Sequence, residues 1–341
     1  MAMRGTGMAP TLGGSGGYAS FAGVPSPVTR YPVIVGPTAG GKTGVAIELA
    51  LLLERLGRGP AEVVTADAFQ IYRGMDIGTA KPTTEEQRGV VHHLIDLVEP
   101  TERFTVHDWL ARAEPVIADI RARGGTPIVV GGTNLYVKAF LDGMFDAPQP
   151  SAAVREAVAA MTQAQRHAEL ERVDPDAARR IHPSDIRRTV RALEVYRQTG
   201  TPISVLQRQW DAASVARPDA VLVGLEWGVE AINARINRRV KGMLDAGLVG
   251  EARGLWASGR LGPQAREAIG YKQLIPHFEG KQPLEEAAER IKIETRRLGK
   301  NQRTWLKRLR ARPGSLWIGA EDKIPAEIAQ LIAKQIFTSL P

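Results

Sequence analysis

The chain has 341 residues, 43% of them hydrophobic, which is enough to bury a large core in one or two domains. It contains no cysteine, so disulfides, thiolate zinc sites and a cysteine nucleophile are excluded. Its 45 basic and 37 acidic residues give a net charge of +8, a balance that suits a polyanionic partner without proving one.

Residues 1–29 are rich in Gly, Ser and Pro and contain no apolar core of the signal-peptide type. They are predicted to form a disordered leader. No stretch of the chain approaches the roughly 18 apolar residues of a membrane span. We therefore expect a monomeric cytoplasmic protein without membrane contact.

A phosphate-binding loop follows the first apolar run, 31–35, and leads into a helical pattern that begins near residue 43. The pattern Gly-x-x-x-x-Gly-Lys-Thr between a strand and a helix is typical of P-loops. In such loops backbone N–H groups surround an anion, the lysine adds a positive charge, and the last hydroxyl can bind Mg²⁺. The alternative is a Gly-rich turn that binds nothing, which the correct flanks make less favourable. The eight residues are Gly36, Pro37, Thr38, Ala39, Gly40, Gly41, Lys42 and Thr43.

Further apolar runs at 62–66, 126–130 and 219–225 alternate with helical patterns at 43–56, 106–123 and 230–258. Continuous Val, Ile and Leu runs are typical of parallel strands buried on both faces. The fold class predicted is α/β, with a P-loop NTPase-like parallel sheet flanked by helices. Sites of such sheets lie at the carboxyl ends of the strands, where the P-loop, Asp67 and 131–133 fall.

The alternation breaks after 148–150, and no strand-like run follows until about residue 219. We interpret 147–213 as a helical insertion domain in a P-loop core formed by 30–146 and 214–320. Residues 284–310 are predicted to form one long helix. A C-terminal helix is predicted within 321–341, over about 324–338.

Asp67 ends the strand that follows the P-loop helix. In folds like those of small nucleotide kinases this position usually faces the acceptor substrate. We therefore expect the P-loop to hold donor phosphates and Asp67 to meet the group that attacks. A rival role for Asp67 is metal coordination, as in P-loop ATPases.

Residues 67–82 follow the pattern Asp-Ser-x-Gln-x-Tyr-x-x-Met-x-Ile-x-Thr-Ala-Lys-Pro, except that Ala68 replaces the serine. Together with the Gly-Pro-Thr-Ala-x-Gly-Lys-Thr loop, this closely resembles the tRNA dimethylallyltransferases. Further matches run in family order through 130–136, 182–194, 269–272 and 302–306. The resemblance covers about 32 to 309 and is far more specific than a P-loop alone.

The resemblance implies transfer of a dimethylallyl group from dimethylallyl diphosphate to N6 of the adenosine 3′-adjacent to the anticodon, in tRNAs reading codons that start with U. The P-loop would then hold a diphosphate leaving group, with Mg²⁺ bound in part by Thr43. Asp67 is expected to act as the general base, since a carboxylate that accepts the N6 proton restores nucleophilicity to the amine. By resemblance, Thr133 is the second catalytic hydrogen-bonding group and Lys42 the third catalytic residue. Arg235 and Arg239 also match family arginines and are expected to clamp the diphosphate.

Two departures from the family bear on the site. Ala68 removes one hydroxyl beside the acceptor Asp, and Gly40 replaces a common serine in the P-loop. A glycine at 40 still suits a phosphate nest.

Contacts with the tRNA anticodon stem-loop are expected from the acceptor segment, from a basic face of the insertion and from the basic C-terminal part of the core. The adenosine is expected to leave its stack on binding. Gln70 suits an adenine edge, and Phe69 or Tyr72 is placed to stack. The tRNA-binding residues predicted are Asp67, Ala68, Phe69, Gln70, Thr133, Arg155, Arg187, Arg188, Arg191, Gly270, Tyr271, Lys272, Lys300, Gln302, Arg303, Trp305 and Lys307.

Several alternatives stay open at this level. Phe69, Ile71 and Trp305 are equally compatible with core positions, and the arginines with a solvated helix face. The six histidines show no metal-ligand spacing and receive no catalytic role. For the whole chain the alternatives are an adenylate isopentenyltransferase acting on free AMP, ADP or ATP, a P-loop small-molecule kinase, and an RNA-binding protein with a relict P-loop.

Overall fold

Six strands form one parallel sheet. The structure is a computed structural model, and it describes residues 30–144, 149–212 and 217–337. The side chains of 209–212 are not described. The predicted leader at 1–29 lies outside the described residues. The strands are β1 (Tyr31–Val35), β2 (Ala61–Ala66), β3 (His92–His93), β4 (Thr126–Gly131), β5 (Ala220–Glu226) and β6 (Leu316–Gly319). Their order across the sheet is β3-β2-β4-β1-β5-β6, and every neighbouring pair is parallel. The predicted α/β class is confirmed.

The two strands that the sequence does not predict, β3 and β6, are the edges of the sheet. They are only two and four residues long, too short for a recognisable apolar run. The four predicted strands form its centre. There β1, β2 and β4 are buried along their whole length, which explains their continuous apolar composition.

Helices cover both faces of the sheet. On one face, Val33, Val64 and Val129 join a large apolar cluster, and on the other Ile34, Val63 and Ile128 join a second one. Alternate residues of each strand therefore face different helix layers. The helices are α1 (Lys42–Arg55), α2 (Thr84–Gln87), α3 (Val106–Ala122), α4 (Asn134–Asp142), α5 (Ala152–Ala159), α6 (Gln163–Val173), α7 (Pro175–Arg180), α8 (Ile186–Thr199), α9 (Ile203–Ala212), α10 (Val229–Asp245), α11 (Leu248–Ala257), α12 (Tyr271–Phe278), α13 (Leu284–Leu309) and α14 (Pro325–Ile336), with a 3₁₀ turn at Ala265–Glu267.

The single helix predicted over 230–258 is wrong, because the segment forms α10 and α11 with a turn between them. Gly247 has φ +102°, in the left-handed region that glycine alone adopts readily. The following Leu248 is fully buried. The break therefore directs α11 back onto the core. The apolar periodicity of the sequence continues across Gly247, which is why one helix was predicted. The long helix predicted over 284–310 is confirmed as α13.

Helices α5 to α9 pack on one another around a separate apolar cluster that includes Val158, Leu170 and Leu193. An ion pair between Arg187 on α8 and Glu267 of the 3₁₀ turn, at 3.4 Å, joins this group to the rest of the protein. The exact limits of the insertion as a domain stay a prediction. None of the helices in the described ranges combines the length and hydropathy that a membrane span requires.

The segment 69–81, which connects β2 to α2, is held by a carboxylate from a distant helix. Glu251 on α11 accepts the backbone N–H groups of Asp76, Ile77 and Gly78 at 2.9–3.1 Å, and also the hydroxyl of Tyr271. Tyr271 is fully buried, and burial together with the Glu251 charge raises its pKa. The Tyr271 ring packs so closely that a Cβ at Gly78 would lie 2.4 Å from it.

We expect Gly78→Ala to destabilise the protein by about 1–3 kcal/mol, because the buried Tyr271 ring has nowhere to move. Denaturant unfolding followed by circular dichroism measures this change. The matched control is Gly250→Ala in α11, where a Cβ meets nothing within 4 Å. That variant should gain roughly 0.5–1 kcal/mol from reduced backbone entropy. An unchanged unfolding free energy for Gly78→Ala would contradict the close packing described above.

Candidate active site

The P-loop connects β1 to α1 with backbone conformations that leave amides facing a cleft. Gly41, the N-cap of α1, has φ +80°, and no side chain caps the helix. Ala39 has φ +60°, unusual for a residue with a Cβ. An uncapped helix N-terminus beside a left-handed glycine is a ready anion site, because unpaired N–H groups and the helix dipole both favour negative charge.

Lys42 lies inside this loop. Its Nζ donates hydrogen bonds to the carbonyls of Gly36 at 3.1 Å and Pro37 at 2.9 Å. Burial, and then the nearby charge of Arg239, lower the pKa of Lys42 to about 8. The ammonium group is therefore protonated at neutral pH but poorly compensated, and an anion in the loop would stabilise it.

The P-loop lines a cleft of about 450 Å³ at the carboxyl edge of the sheet. Residues from the P-loop, β2, β4, α10 and α13 meet there, as the strand-end rule predicts. Of the residues singled out from the sequence, the cleft brings together Thr38, Ala39, Gly40, Gly41, Lys42, Thr43, Asp67, Gln70, Arg235, Arg239 and Gln302.

Arginines of α10 line the cleft beside the P-loop. The Nε of Arg235 donates to the Ala39 carbonyl at 2.9 Å, and its guanidinium lies 4.5 Å from the ring centre of Trp227. Trp227 in turn donates its indole N–H to the Gly40 carbonyl at 3.2 Å. Arg239 lines the same cleft, and burial lowers its pKa while the Asp67 charge raises it. These contacts brace the P-loop and direct positive charge into the cleft.

Asp67 follows β2 and lines the same cleft. Its Oδ1 accepts the backbone N–H groups of Phe69 at 2.9 Å and Gln70 at 3.3 Å, which holds the carboxylate in one orientation. No hydrogen bond reaches its Oδ2 from the part of the chain that the structure describes. One oxygen therefore orients the group and the other is left for a ligand.

The hydroxyl of Thr133 accepts the backbone N–H of Ala68 at 3.0 Å, so it lies beside the Asp67 segment. Thr133 is the N-cap of α4 but makes no capping hydrogen bond with its side chain. Its O–H remains a donor. Thr133 itself is not part of the wall of the 450 Å³ cleft.

The Gln70 amide has a defined orientation. Its Nε2 donates to the carbonyls of Thr79 and Ala80, both at 3.1 Å. Since carbonyls only accept hydrogen bonds, the amide nitrogen of Gln70 must face them. The amide oxygen then faces the cleft that Gln70 lines. Ile71 and Tyr72 are fully buried, and therefore the proposed stacking role of Tyr72 is not possible in this structure. Phe69 is half-buried against the main core.

Comparison with known proteins agrees with this site. A family model described as "IPP transferase" matches residues 70–309. The chain is 46% identical over 285 residues to a tRNA dimethylallyltransferase of Geobacillus kaustophilus, covering 82% of this chain and 87% of the relative. The chain belongs to the IPP transferase family.

Other relatives extend the match. A tRNA dimethylallyltransferase of Anaeromyxobacter dehalogenans is 44% identical over 301 residues, which span 87% of this chain and 95% of the relative. The crystal structure of a tRNA isopentenylpyrophosphate transferase from Bacillus halodurans aligns with a TM-score of 0.64 at 37% identity, over 91% of this chain and 97% of that one. A eukaryotic dimethylallyltransferase acting on tRNA aligns with a TM-score of 0.77 at 26% identity, over 92% and 80% of the two chains. The predicted family and fold are confirmed.

The basic residues that the sequence assigns to tRNA divide into two surfaces of this IPP transferase. The first, the insertion surface, comprises Arg155, Arg187, Arg188 and Arg191, of which only Arg191 is half-buried and the rest are exposed. The second, the α13 surface, comprises Lys300, Arg303 and Lys307, with both lysines exposed. Trp305 is half-buried and packs against the main core.

Four predicted tRNA contacts lie outside these two surfaces. Tyr271 and Gly270 are buried, so the Tyr271 side chain is not available to a tRNA in this structure. Lys272 beside them is exposed and pairs with Glu267 at 2.8 Å. Gln302 is 5% exposed and its amide is bound by the protein backbone.

The cleft of the IPP transferase also contains residues that the sequence reasoning missed. Arg238 lines it, although only its neighbours Arg235 and Arg239 were singled out. His92 lines it with Nε2 buried and unpaired, while its Nδ1 lies 2.9 Å from the Val90 carbonyl. Burial lowers the pKa of His92, which favours the neutral ring. His92 is the first residue of β3, which is too short to show a pattern in the sequence, so no sequence signal marked it.

The lowered pKa of Lys42 predicts a pH dependence of diphosphate binding. The ammonium is charged below about pH 8, so affinity for inorganic diphosphate should fall as the pH rises through that value. One linked proton gives a limiting slope of about tenfold in Kd per pH unit. Titration calorimetry between about pH 6.5 and 9.5 measures it.

The control is Lys42→Arg, since a guanidinium stays charged over this range. The ionisation of diphosphate itself is common to both proteins, so only the difference between the two curves reports on residue 42. Identical pH curves for the two proteins would assign the titration to another group.

Proposed function

We propose that this chain is a tRNA dimethylallyltransferase. It transfers the dimethylallyl group of dimethylallyl diphosphate to N6 of the adenosine 3′-adjacent to the anticodon, in tRNAs reading codons that start with U, and releases diphosphate. The observation that carries the proposal is one cleft lined by both an anion-binding loop and an oriented carboxylate. The names of the relatives support the same activity.

On the donor side, the residues serve the departure of diphosphate. Loop amides at the start of α1, Lys42, Arg235 and Arg239 surround the anion, and their charges stabilise the negative charge that develops as the allylic C–O bond breaks. These groups are preorganised by the Arg235–Ala39 and Trp227–Gly40 hydrogen bonds. Little reorganisation is then needed at the moment of reaction.

A magnesium ion fits this donor set. The described residues contain no group of three or more His, Cys, Asp or Glu side chains that would enclose a metal. The hydroxyl of Thr43 lines the cleft, and diphosphate oxygens and waters are the further ligands that Mg²⁺ prefers. Bound there, the ion would neutralise charge on the leaving diphosphate.

On the acceptor side, Asp67 is the general base. The N6 amine of adenine is a weak nucleophile because its lone pair is delocalised into the ring. Oδ2 of Asp67 accepts one N6 proton as the new C–N bond forms, while Oδ1 keeps the carboxylate oriented. The Thr133 hydroxyl supports the same segment through Ala68.

Gln70 supplies selectivity for an amine. Both of its N–H groups are occupied by the Thr79 and Ala80 carbonyls, so only its oxygen is left for a ligand. That oxygen accepts a hydrogen bond from an exocyclic amine and disfavours a purine with a carbonyl at the same position.

The substrate RNA spans both basic surfaces in this proposal. The insertion surface and the α13 surface offer cations to the phosphates of an anticodon stem-loop. Since the adenosine must enter the cleft, it leaves its stack. A free nucleotide bound in the cleft would contact neither surface.

Incubation with labelled dimethylallyl diphosphate tests the activity. We expect label to enter unmodified tRNA and an anticodon stem-loop, with at least a hundredfold lower kcat/KM on AMP. Labelling of AMP at a comparable rate would favour the adenylate isopentenyltransferase alternative. Phosphoryl transfer from ATP to a small molecule would favour the kinase.

Asp67→Asn tests the base. The amide oxygen can still accept the N–H groups of Phe69 and Gln70, so the local fold should persist. The single-turnover rate should fall by about 10²–10⁴ with little change in tRNA affinity. The matched control is Asp119→Asn on the exposed face of α3, where the carboxylate pairs only with Arg123 among the residues that the structure describes. If tRNA binding collapses while the chemical step survives, Asp67 positions the acceptor and another group takes the proton.

A further inference from the structure

Gln302 is a buried amide on α13, and in the chain it lies between the residues that form the α13 surface. It is 5% exposed, whereas its neighbours Lys300 and Asn301 are exposed to solvent. Four residues C-terminal to it, Leu306 is buried on the same side of α13. The side chain of Gln302 therefore points away from the basic face, toward the cleft that it lines.

Both ends of this amide bind backbone groups of the active site. Its Oε1 accepts the backbone N–H of Thr38 at 2.7 Å, and its Nε2 donates to the carbonyl of Gly132 at 2.9 Å. The first partner can only donate and the second can only accept, so the orientation of the amide is determined by chemistry.

The two partners belong to opposite halves of the site. Thr38 is part of the P-loop. Gly132 precedes Thr133, whose hydroxyl receives the Ala68 N–H beside Asp67. Contact with Gly132 is close, since a Cβ there would lie 2.8 Å from Nε2 of Gln302. One side chain thus spans the donor loop and the turn that supports the acceptor segment.

We propose that Gln302 is a positioning residue that holds the P-loop and the 131–133 turn at one separation, rather than a residue that contacts tRNA. The inference rests on the proposed function. Transfer requires the allylic carbon and the N6 amine to lie within about 3–3.5 Å, and misplacement by about 1 Å typically costs ~10²-fold in rate. The α13 surface lies on the same helix as Gln302. A tRNA bound to that surface therefore contacts the helix that fixes the separation of the P-loop from the 131–133 turn.

Two variants and a control test the proposal. Gln302→Met keeps the length of the side chain but makes neither hydrogen bond. Gln302→Glu keeps an oxygen for the Thr38 N–H, and its second oxygen meets the Gly132 carbonyl. Asn301→Met is the matched control, an exposed amide replaced in the same way on the adjacent residue. Thermal unfolding of each variant, followed by circular dichroism, identifies loss of fold.

Single-turnover rates at saturating tRNA and dimethylallyl diphosphate are measured together with Kd for the anticodon stem-loop. For Gln302→Met we expect the rate to fall by about 10- to 100-fold, with Kd for the stem-loop within about twofold of wild type, as for Asn301→Met. A raised stem-loop Kd with an unchanged saturating rate would overturn the proposal, because it would make Gln302 a tRNA contact. Unchanged values of both would overturn it as well.

The Gln302→Glu variant adds a pH readout that is independent of fold stability. An ionised carboxylate repels the Gly132 carbonyl, whereas a protonated one donates to it and still accepts from Thr38. The rate of this variant relative to wild type should therefore rise as the pH falls from about 8 to 4, because protonation of the carboxyl group restores the bond to Gly132. Burial favours that protonation, and the Lys42 ammonium beside Gly132 opposes it. A pH-independent ratio would contradict a positioning role through Gly132. The wild-type reaction is measured first, so absence of any transfer to tRNA would refute the proposed function rather than the role of Gln302.

Discussion

Positive charge concentrated in a small cleft is the constraint on which the rest of the site depends. Lys42, Arg235, Arg238 and Arg239 all line the cleft, and Asp67 is the one carboxylate among its described lining residues. Burial is the main cause that lowers the pKa of both Lys42 and Arg239, and the charge of Arg239 lowers the pKa of Lys42 further. A diphosphate bound as proposed would compensate these charges, so the arrangement that disfavours the charged side chains would favour the ligand. The hydrogen bonds from Arg235 and Trp227 to the P-loop carbonyls hold the loop and the Arg235 guanidinium in fixed positions.

The parts of the fold that the sequence predicts are those with a local cause. The P-loop and the four central strands follow from residues adjacent in the chain, and each appears where the pattern places it. The break at Gly247 was missed because apolar periodicity carries on across it, although a glycine followed by a buried leucine is a turn signal. The edge strands were missed because they are too short to show a pattern.

Long-range contacts explain the remaining differences at the site. Gln302 is separated from Thr38 by 264 residues, and no periodicity reports such a pairing. Tyr271 has a polar group and lies in a segment that resembles a family motif, yet its hydroxyl donates a hydrogen bond to Glu251 in the core. A motif shows that a residue type is needed at a position. Only the fold distinguishes a residue that contacts substrate from one that supports the segment that does.

Two unpaired buried polar atoms lie in the cleft and on the helix α13 that helps to line it. Among the described residues, Nε2 of His92 in the cleft and Nη1 of Arg303 on α13 are buried without a hydrogen-bond partner. Buried polar atoms without partners are rare in folded proteins and cost about 1–3 kcal/mol each. Arg303 is the residue after Gln302, so a substrate phosphate that pairs with its guanidinium would bind one residue from the link between donor loop and acceptor turn. With tRNA bound as proposed, its binding, the pairing of a buried cation and the alignment of the reacting groups would all act on a single turn of α13.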